Sequence, residues 1–178
     1  MRNHPEVPAR LIVTGHGLVL REWNEEDLPD MVDLFDDPQV ALRTPLAAPF
    51  TLSAARDYLG RARVHQADGR QLQLAITTDG GQAKGEVRLN RSTGTISYIV
   101  GAAHRGQRLA TRALLLMTEH AHDELGLSRV SLEIEPDNHP SVAVARAAGF
   151  RLTDAPPEVV TVRDRSYALH VWSHQPLA

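Results

Sequence analysis

Two short stretches of this chain hold residue types at spacings that chemistry can use. In the first, His104-Arg-Gly-Gln-Arg-Leu-Ala110, a turn leaves a strand-like segment and opens a helix. A helix N-terminus presents unpaired backbone N–H groups and a partial positive charge. Gly106 lets the backbone approach a ligand, Arg105 and Arg108 add cations, and Thr111 adds a hydroxyl in the first turn. Together they describe a pyrophosphate cradle, although the same residues also fit a solvated helix start with two surface arginines. The turn matches neither the dinucleotide fingerprint nor the P-loop pattern. In the second stretch, Glu135-Pro-Asp-Asn-His-Pro-Ser141, Asn138 lies about one helical turn before Ser141. Asn138 can cap a helix whose first turn carries Ser141, which on its own is ordinary capping.

These stretches must be held by the elements around them. Met1 to Arg10 reads as an extended lead-in, and Leu18 to Arg21 as a first strand. Asn24-Glu-Glu-Asp27 resembles a capping box before a helix that presents Leu28, Met31, Leu34 and Phe35. Pro38 begins a short helical turn, and Thr51 or Ser53 caps a helix with Ala55, Tyr58, Leu59 and Ala62 on one side. Strands follow at Leu72–Thr77, Glu86–Leu89 and Thr95–Val100, joined by the turn signals Asp79-Gly80-Gly81 and Ser92-Thr93-Gly94. A long helix with Leu109, Ala113, Leu116, Met117, Ala121 and Leu125 on one face closes at Gly126. Arg129 to Glu135 reads as a strand, Pro140 to Ala148 as a helix, and Val159–Val162 with Tyr167–Trp172 as a last hairpin. Three hairpin-connected strands followed by strand–helix units predict a mixed α/β sheet, not a doubly wound dinucleotide fold.

Arg-Gly-x-x-x-Ala at Arg105 to Ala110, followed by Asn138-x-x-Ser141 and Ala148-Gly-Phe150, resembles the GNAT superfamily of acyl-CoA N-acyltransferases. The layout from about Gly15 to Ser173 is most similar to the ribosomal-protein N-terminal acetyltransferase (Rim) group. Shared features include Leu18-Val-Leu-Arg21, Asp36-Asp-Pro38-x-Val40, Thr111 after Ala110, and Gly126-Leu-x-Arg129. The resemblance implies an α/β (α+β) GNAT fold: a mostly antiparallel six- to seven-stranded sheet, a splayed central strand pair and about four helices. Residues 1–14 would be a lead-in and 15–178 a single N-acetyltransferase domain. Acetyl-CoA would be the cosubstrate, with no metal. Backbone groups of Ile99 and Val100 would meet the pantetheine amides. N–H groups from Arg105, Gly106, Gln107, Arg108 and Ala110, with Thr111, would hold the pyrophosphate. Arg108 stands where the family usually has glycine, with a helical φ expected to tolerate it. Asn138 and Ser141 would contact the cofactor, with Ser141 near its sulfur as a general acid and Asn138 beside it in the catalytic site.

The implied reaction is direct attack of a primary amine, on a protein N-terminus or a small molecule, on the thioester. Relatives often place a glutamate just before the Tyr-containing strand segment; Thr95 and Ile96 stand there, and Glu86, Glu133 and Glu135 are candidate replacements, each equally readable as a charge at a strand edge. Arg112 replaces a second familiar glutamate. These departures also fit a catalytically weak acyl-CoA-binding module with a regulatory or scaffolding role. The amine is expected between the segment Asn24 to Leu59 and the loop Thr153 to Arg165, whose carboxylates would favour a cationic substrate.

Composition narrows the field. The chain has 178 residues, of which 42% are hydrophobic, so one core can hold it without staples. Cysteine is absent, which excludes disulfides and thiolate chemistry. Nineteen basic against 22 acidic residues give a net charge of −3, with Lys84 as the sole lysine, so there is no basic footprint for nucleic acid. The acidic run Asp27, Asp30, Asp33, Asp36 and Asp37 reads as a solvated helix face. Nine histidines, including His120 with His122 and His170 with His174, form no full metal-ligand set at a recognisable spacing. No apolar run is long enough to cross a membrane. A cytoplasmic protein, with a homodimer compatible, is the expectation.

Overall fold

A computed structural model describes residues 10–162 and 164–176. Its sheet begins with the hairpin of β1 (Ile12–Gly15) and β2 (Leu18–Glu22). The turn between them places His16 at φ 50° and Gly17 at φ 67°, the paired left-handed conformation that favours tight hairpins. β1 overlaps the segment read as a lead-in, whose residues 1–9 lie outside the described ones. Its alternation is between exposed and half-buried, so no apolar period marks it in the sequence.

Three helices then cover one sheet face. Asn24 and Asp27 form the expected capping box ahead of α1 (Leu28–Phe35). Asp37 caps α2 (Pro38–Arg43) by accepting from Gln39 and Val40 N–H, and Thr51 caps α3 (Leu52–Ala67) by accepting from Ala54 N–H. Phe35 is the centre of an edge-to-face cluster, with Trp23, Phe50 and Tyr58 at 6.1, 5.2 and 5.6 Å between ring centroids. The acidic run is a solvated face only in part: Asp33 and Asp36 are exposed, and Asp27 is not. Asp27 is buried in a bidentate pair with Arg21 at 2.7 and 2.8 Å, and Asp36 accepts from Phe50 N–H. Those carboxylates pin α1 to its neighbours because each has a donor within reach.

An antiparallel ladder joins β3 (Gln71–Thr77), β4 (Gly85–Asn90) and β5 (Thr95–Val100) in sequence order. The long helix α4 (Leu109–Asp123) lays Leu109, Ala113, Leu116, Met117 and Ala121 on the other sheet face, all buried. β6 (Val130–Ile134) runs parallel to β5 and leads into α5 (His139–Ala147). The chain ends in β7 (Arg151–Leu152), β8 (Glu158–Val162) and β9 (Arg165–His174), with spatial order β1-β2-β3-β4-β5-β6-β9-β7 and β8 paired on β9. The fold class is the expected one, but the described residues form nine strands and five α-helices. The additional strands are β1 and the two-residue β7, and the fifth helix is the six-residue α2. All three are too short or too exposed to show a period.

Arg112 explains its own departure from the usual glutamate. Its Nε and Nη2 donate to the carbonyls of His16 and Gly17 at 2.7 and 2.6 Å, fastening the β1–β2 turn to α4. Arg112→Ala should lower stability by about 1 kcal/mol in urea unfolding, at the modest end for charged donors because the site is part-exposed. Arg112→Lys should recover part of the loss.

Candidate active site

The site begins where two strands stop pairing. β5 and β6 share one register position, Thr95 with Ser131, reinforced by Ser131 N–H on Gly94 C=O at 3.0 Å. Beyond it they diverge. On its other edge β5 stays paired with β4, with Ile99 opposite Glu86 and Gly101 N–H bonded to Lys84 C=O. Antiparallel pairs alternate between bonded and non-bonded positions, so Ile99 turns both its N–H and its C=O toward β4. The groups that face the gap belong to Tyr98 and Val100. This corrects the expectation at Ile99, whose backbone is occupied by β4; the Val100 C=O accepts from Arg105 Nε at 3.4 Å.

The gap widens into a cleft of about 500 Å³ lined by Tyr58, Glu86, Arg88, Ile99, Glu133, Asn138 and Ser141, among others. At one wall, Asn138 Oδ1 accepts from Ser141 N–H at 3.4 Å and caps α5. The cap uses the oxygen only. Among the described residues neither the Asn138 amide nitrogen nor the Ser141 hydroxyl has another partner, so capping and ligand contact are compatible. Tyr98 donates its hydroxyl to Ser141 C=O at 3.4 Å, and burial pushes that phenol up to about 12.

At the opposite wall Glu86 is 4% exposed. One of its oxygens accepts from Tyr58 OH at 2.6 Å, the other from Trp23 Nε1 at 2.9 Å, and Gln73 Nε2 donates to Tyr58 OH. Burial raises the Glu86 carboxyl above its ordinary value, against the donors Tyr58 and Trp23 and the charge of Arg88. Tyr58 rises well above its own range, chiefly by burial, and stays a donor. The other candidate acids differ. Glu135 is held by Arg43 and Arg165, so its charge is already paired. Glu133 is exposed on β6, raised by burial and then by Glu158.

The turn into α4 lies beyond the end of β5 and does not line the cleft. Gly106 takes φ 84°, with open space around the position a side chain would occupy. No side chain caps α4, and its first backbone bond is Arg112 N–H to Arg108 C=O, so the N–H groups of Leu109, Ala110 and Thr111 have no acceptor among the described residues. The Gln107 N–H is likewise without one among the described residues. Arg105 is half-exposed, reaching Asp37 and the Val100 carbonyl at 3.4 Å each. Arg108 is not helical: φ is 56° and ψ 23°, which accounts for glycine being usual there. No described residue from Thr153 to Arg165 lines the cleft; that wall comes from Arg43, Thr44, Pro45 and Leu46 instead. Among the described residues, no group of three or more His, Asp or Glu could hold a metal ion.

A strand pair parted beside two helix N-termini has known counterparts. Residues 17–151 match the model of the acetyltransferase (GNAT) domain. The chain belongs to the GNAT acetyltransferase family. It is an acetyl-CoA-dependent N-acetyltransferase. An uncharacterised N-acetyltransferase, p20, from Bacillus licheniformis is 25% identical over 75% of this chain and 79% of its own. A Vibrio cholerae protein provisionally described as a ribosomal-protein-serine acetyltransferase superposes with a TM-score of 0.81 at 17% identity, over 93% of this chain and 98% of that one. The microcin C7 self-immunity acetyltransferase MccE, in complex with acetyl-CoA and AMP, superposes at 0.77 and 18% identity, over 91% and 94%.

Sequence reasoning missed Tyr58 and Arg88 as parts of this GNAT cleft, and Trp23 and Gln73 as the donors behind Glu86 and Tyr58. Tyr58 sat unremarked on an apolar helix face. The alternation Glu86-Val-Arg88-Leu-Asn90, charged or polar on one face and apolar on the other, was the available signal.

Two substitutions probe the GNAT site without turnover. Arg108→Gly relieves a left-handed non-glycine residue and should raise stability by up to about 1 kcal/mol in urea unfolding. Glu86 binds its proton more tightly folded than unfolded. Stability should therefore fall as pH rises past the ordinary glutamate value of 4.5 toward the raised folded one. Glu86→Gln should lack that fall, measured by calorimetry across pH, although its amide N–H then meets the donors Trp23 and Tyr58.

Proposed function

We propose that this enzyme moves the acetyl group of acetyl-CoA directly to a primary amine that enters over the sheet face bearing Glu86. The observation that carries this reading is the placement of Glu86 and Ser141 on opposite walls of one cleft where β5 and β6 part. When bound, acetyl-CoA supplies an activated thioester. The residues present fit it: unpaired N–H groups open α4, and the inward N–H and C=O groups of β5 line the gap. MccE holds acetyl-CoA on the same fold.

Each residue then has a distinct task. N–H groups from Gln107 to Thr111 face the pyrophosphate, and the Arg108 side chain adds charge there. Tyr98 and Val100 meet the pantetheine arm with their backbones. Asn138 orients the arm with its amide nitrogen. The Ser141 hydroxyl donates a hydrogen bond to the sulfur and supports departure of the thiolate. Glu86 takes the proton that the attacking amine must lose, and its raised proton affinity brings it nearer to neutral pH than an ordinary carboxylate. One amide and one thiol are the products, with no covalent enzyme intermediate.

Acetyl-CoA at millimolar concentration should raise the melting temperature, since a ligand binding only the native state stabilises it. Folded protein with no shift would overturn the reading. In a thiol-release assay, Ser141→Ala should lower kcat by about tenfold or more with little change in acetyl-CoA affinity, and Asn138→Ala should weaken that affinity. Glu86→Gln should remove turnover while keeping the acetyl-CoA shift. The acid limb of kcat/KM in the wild type should lie above the ordinary glutamate range.

A further inference from the structure

Arg88 follows Glu86 by two positions on β4, so both side chains leave the same face of the strand. The register places Glu86 opposite Ile99 and Arg88 opposite Ser97, and all four line the cleft. Arg88 donates one hydrogen bond, Nε to Ser97 Oγ at 3.2 Å. Among the described residues it forms no ion pair, and its two terminal nitrogens have no acceptor. The other arginine lining this cleft, Arg43, is held by Glu135 and Asp137. Glu86 does not neutralise Arg88 by contact, because its oxygens are engaged by Trp23 and Tyr58. A half-buried guanidinium with a free fork loses water and gains no counter-charge in return. The fork itself matches a carboxylate in geometry, as two parallel donors for two oxygens.

The opposite wall supplies the complementary sign. Glu133 faces the cleft from β6, two residues beyond the last β5–β6 register position. An incoming ammonium group meets carboxylates on both sides, and a negative group on the same molecule meets Arg88. Residues two apart on a strand are separated by about 6.7 Å. An amine held at Glu86 therefore reaches Arg88 with a carboxylate a few bonds away.

We infer that Arg88 determines acceptor choice by binding a carboxylate of the amine substrate. The acceptor class is an amine carrying a carboxylate a few bonds from its nitrogen, as in a free amino acid or a peptide whose first residue is acidic. This inference rests on the proposed entry of the amine over Glu86. Neutralising Arg88 with a substrate carboxylate also withdraws a charge that holds Glu86 ionised, so Glu86 binds a proton more readily once the acceptor is seated.

The test uses matched acceptors with the purified full chain and acetyl-CoA. One arm pairs 4-aminobutanoate with butylamine and free aspartate with its diamide. A second pairs an amidated dipeptide beginning with aspartate with one beginning with asparagine. The carboxylate member of at least one arm should show kcat/KM higher by about tenfold or more, and the arm that responds identifies the source. In Arg88→Gln that ratio should collapse to within about twofold of one, through KM more than kcat, and Arg88→Lys should keep part of it. The acetyl-CoA melting shift reports folding of each variant. Equal use of both members by the wild type, or an unchanged ratio in Arg88→Gln, overturns the inference. If no amine is acetylated, calorimetric titration of 4-aminobutanoate, aspartate and the acidic dipeptide into the CoA-loaded protein decides it. Binding lost in Arg88→Gln supports the carboxylate site even though the transfer reading fails, and no binding to the wild type overturns it.

Discussion

The loss of pairing between β5 and β6 after one register position is the constraint on which the rest of this enzyme depends. A parallel pair that continued would satisfy the inward groups of Tyr98 and Val100 and leave no room for a ligand. Unpaired backbone groups inside a protein are unfavourable unless something replaces the missing strand. Here the missing strand is the natural place for an extended, amide-bearing chain, and pantetheine has that chemistry. α5 begins at this opening, and α4 begins just beyond the end of β5. Packing keeps the opening in place: Val87, Leu89 and Ile96 on one side and Val130 and Leu132 on the other are buried in one core with α4.

Glu86 shows the opposite balance, a local arrangement that stability alone does not favour. A carboxylate on a central strand, covered by Trp23 and Tyr58, is held away from water and its proton affinity rises. Burying that charge costs folding free energy that its donors return only in part. The surrounding donors therefore do more than satisfy it. Gln73 orients Tyr58, Tyr58 and Trp23 fix the two oxygens, and the aromatic cluster around Phe35 fixes both rings. The result is a carboxyl group whose position is over-determined while its charge remains adjustable, which suits a proton acceptor near neutral pH.

The sequence makes some of this legible and hides the rest for physical reasons. Capping is local, so Asn24 with Asp27, Pro38 and Thr51 announce their helices without tertiary information. The apolar face of α4 is likewise written at a fixed period. Strand parity is not local. Whether Ile99 or Tyr98 turns its backbone toward the gap depends on the β4–β5 register, set by the hairpin at Ser92 to Gly94 and by the bond from Gly101 to Lys84. The left-handed turn at Arg108 is hidden because arginine carries no signal for it. Asp27 looked like a surface acid because its partner Arg21 lies on another element. Arg88 was passed over because a charged residue on a strand usually faces solvent, and only the fold turns this face into a cleft.

The two sides of the cleft are held by different forces. The cofactor side rests on α4 and α5 packed through Leu114, Met117 and Ala145, an apolar contact that salt barely affects. The acceptor side rests partly on α2, six residues long and too short to be stable alone. Charged groups hold its C-terminal end. Arg43 pairs with Glu135 and Asp137, Arg165 reaches Glu135 and the Leu42 carbonyl, and Tyr167 donates to the same carbonyl at 2.8 Å. This is the role of the final hairpin: it braces the wall that touches the acceptor and contributes no described residue of Thr153 to Arg165 to the lining. A wall built from ion pairs around Glu135 lies outside the main core, so substitutions at its exposed partners, such as Asp137, leave that core intact. The acceptor side can thus change with the amine while β5, β6, α4 and α5 keep the geometry that acetyl-CoA requires.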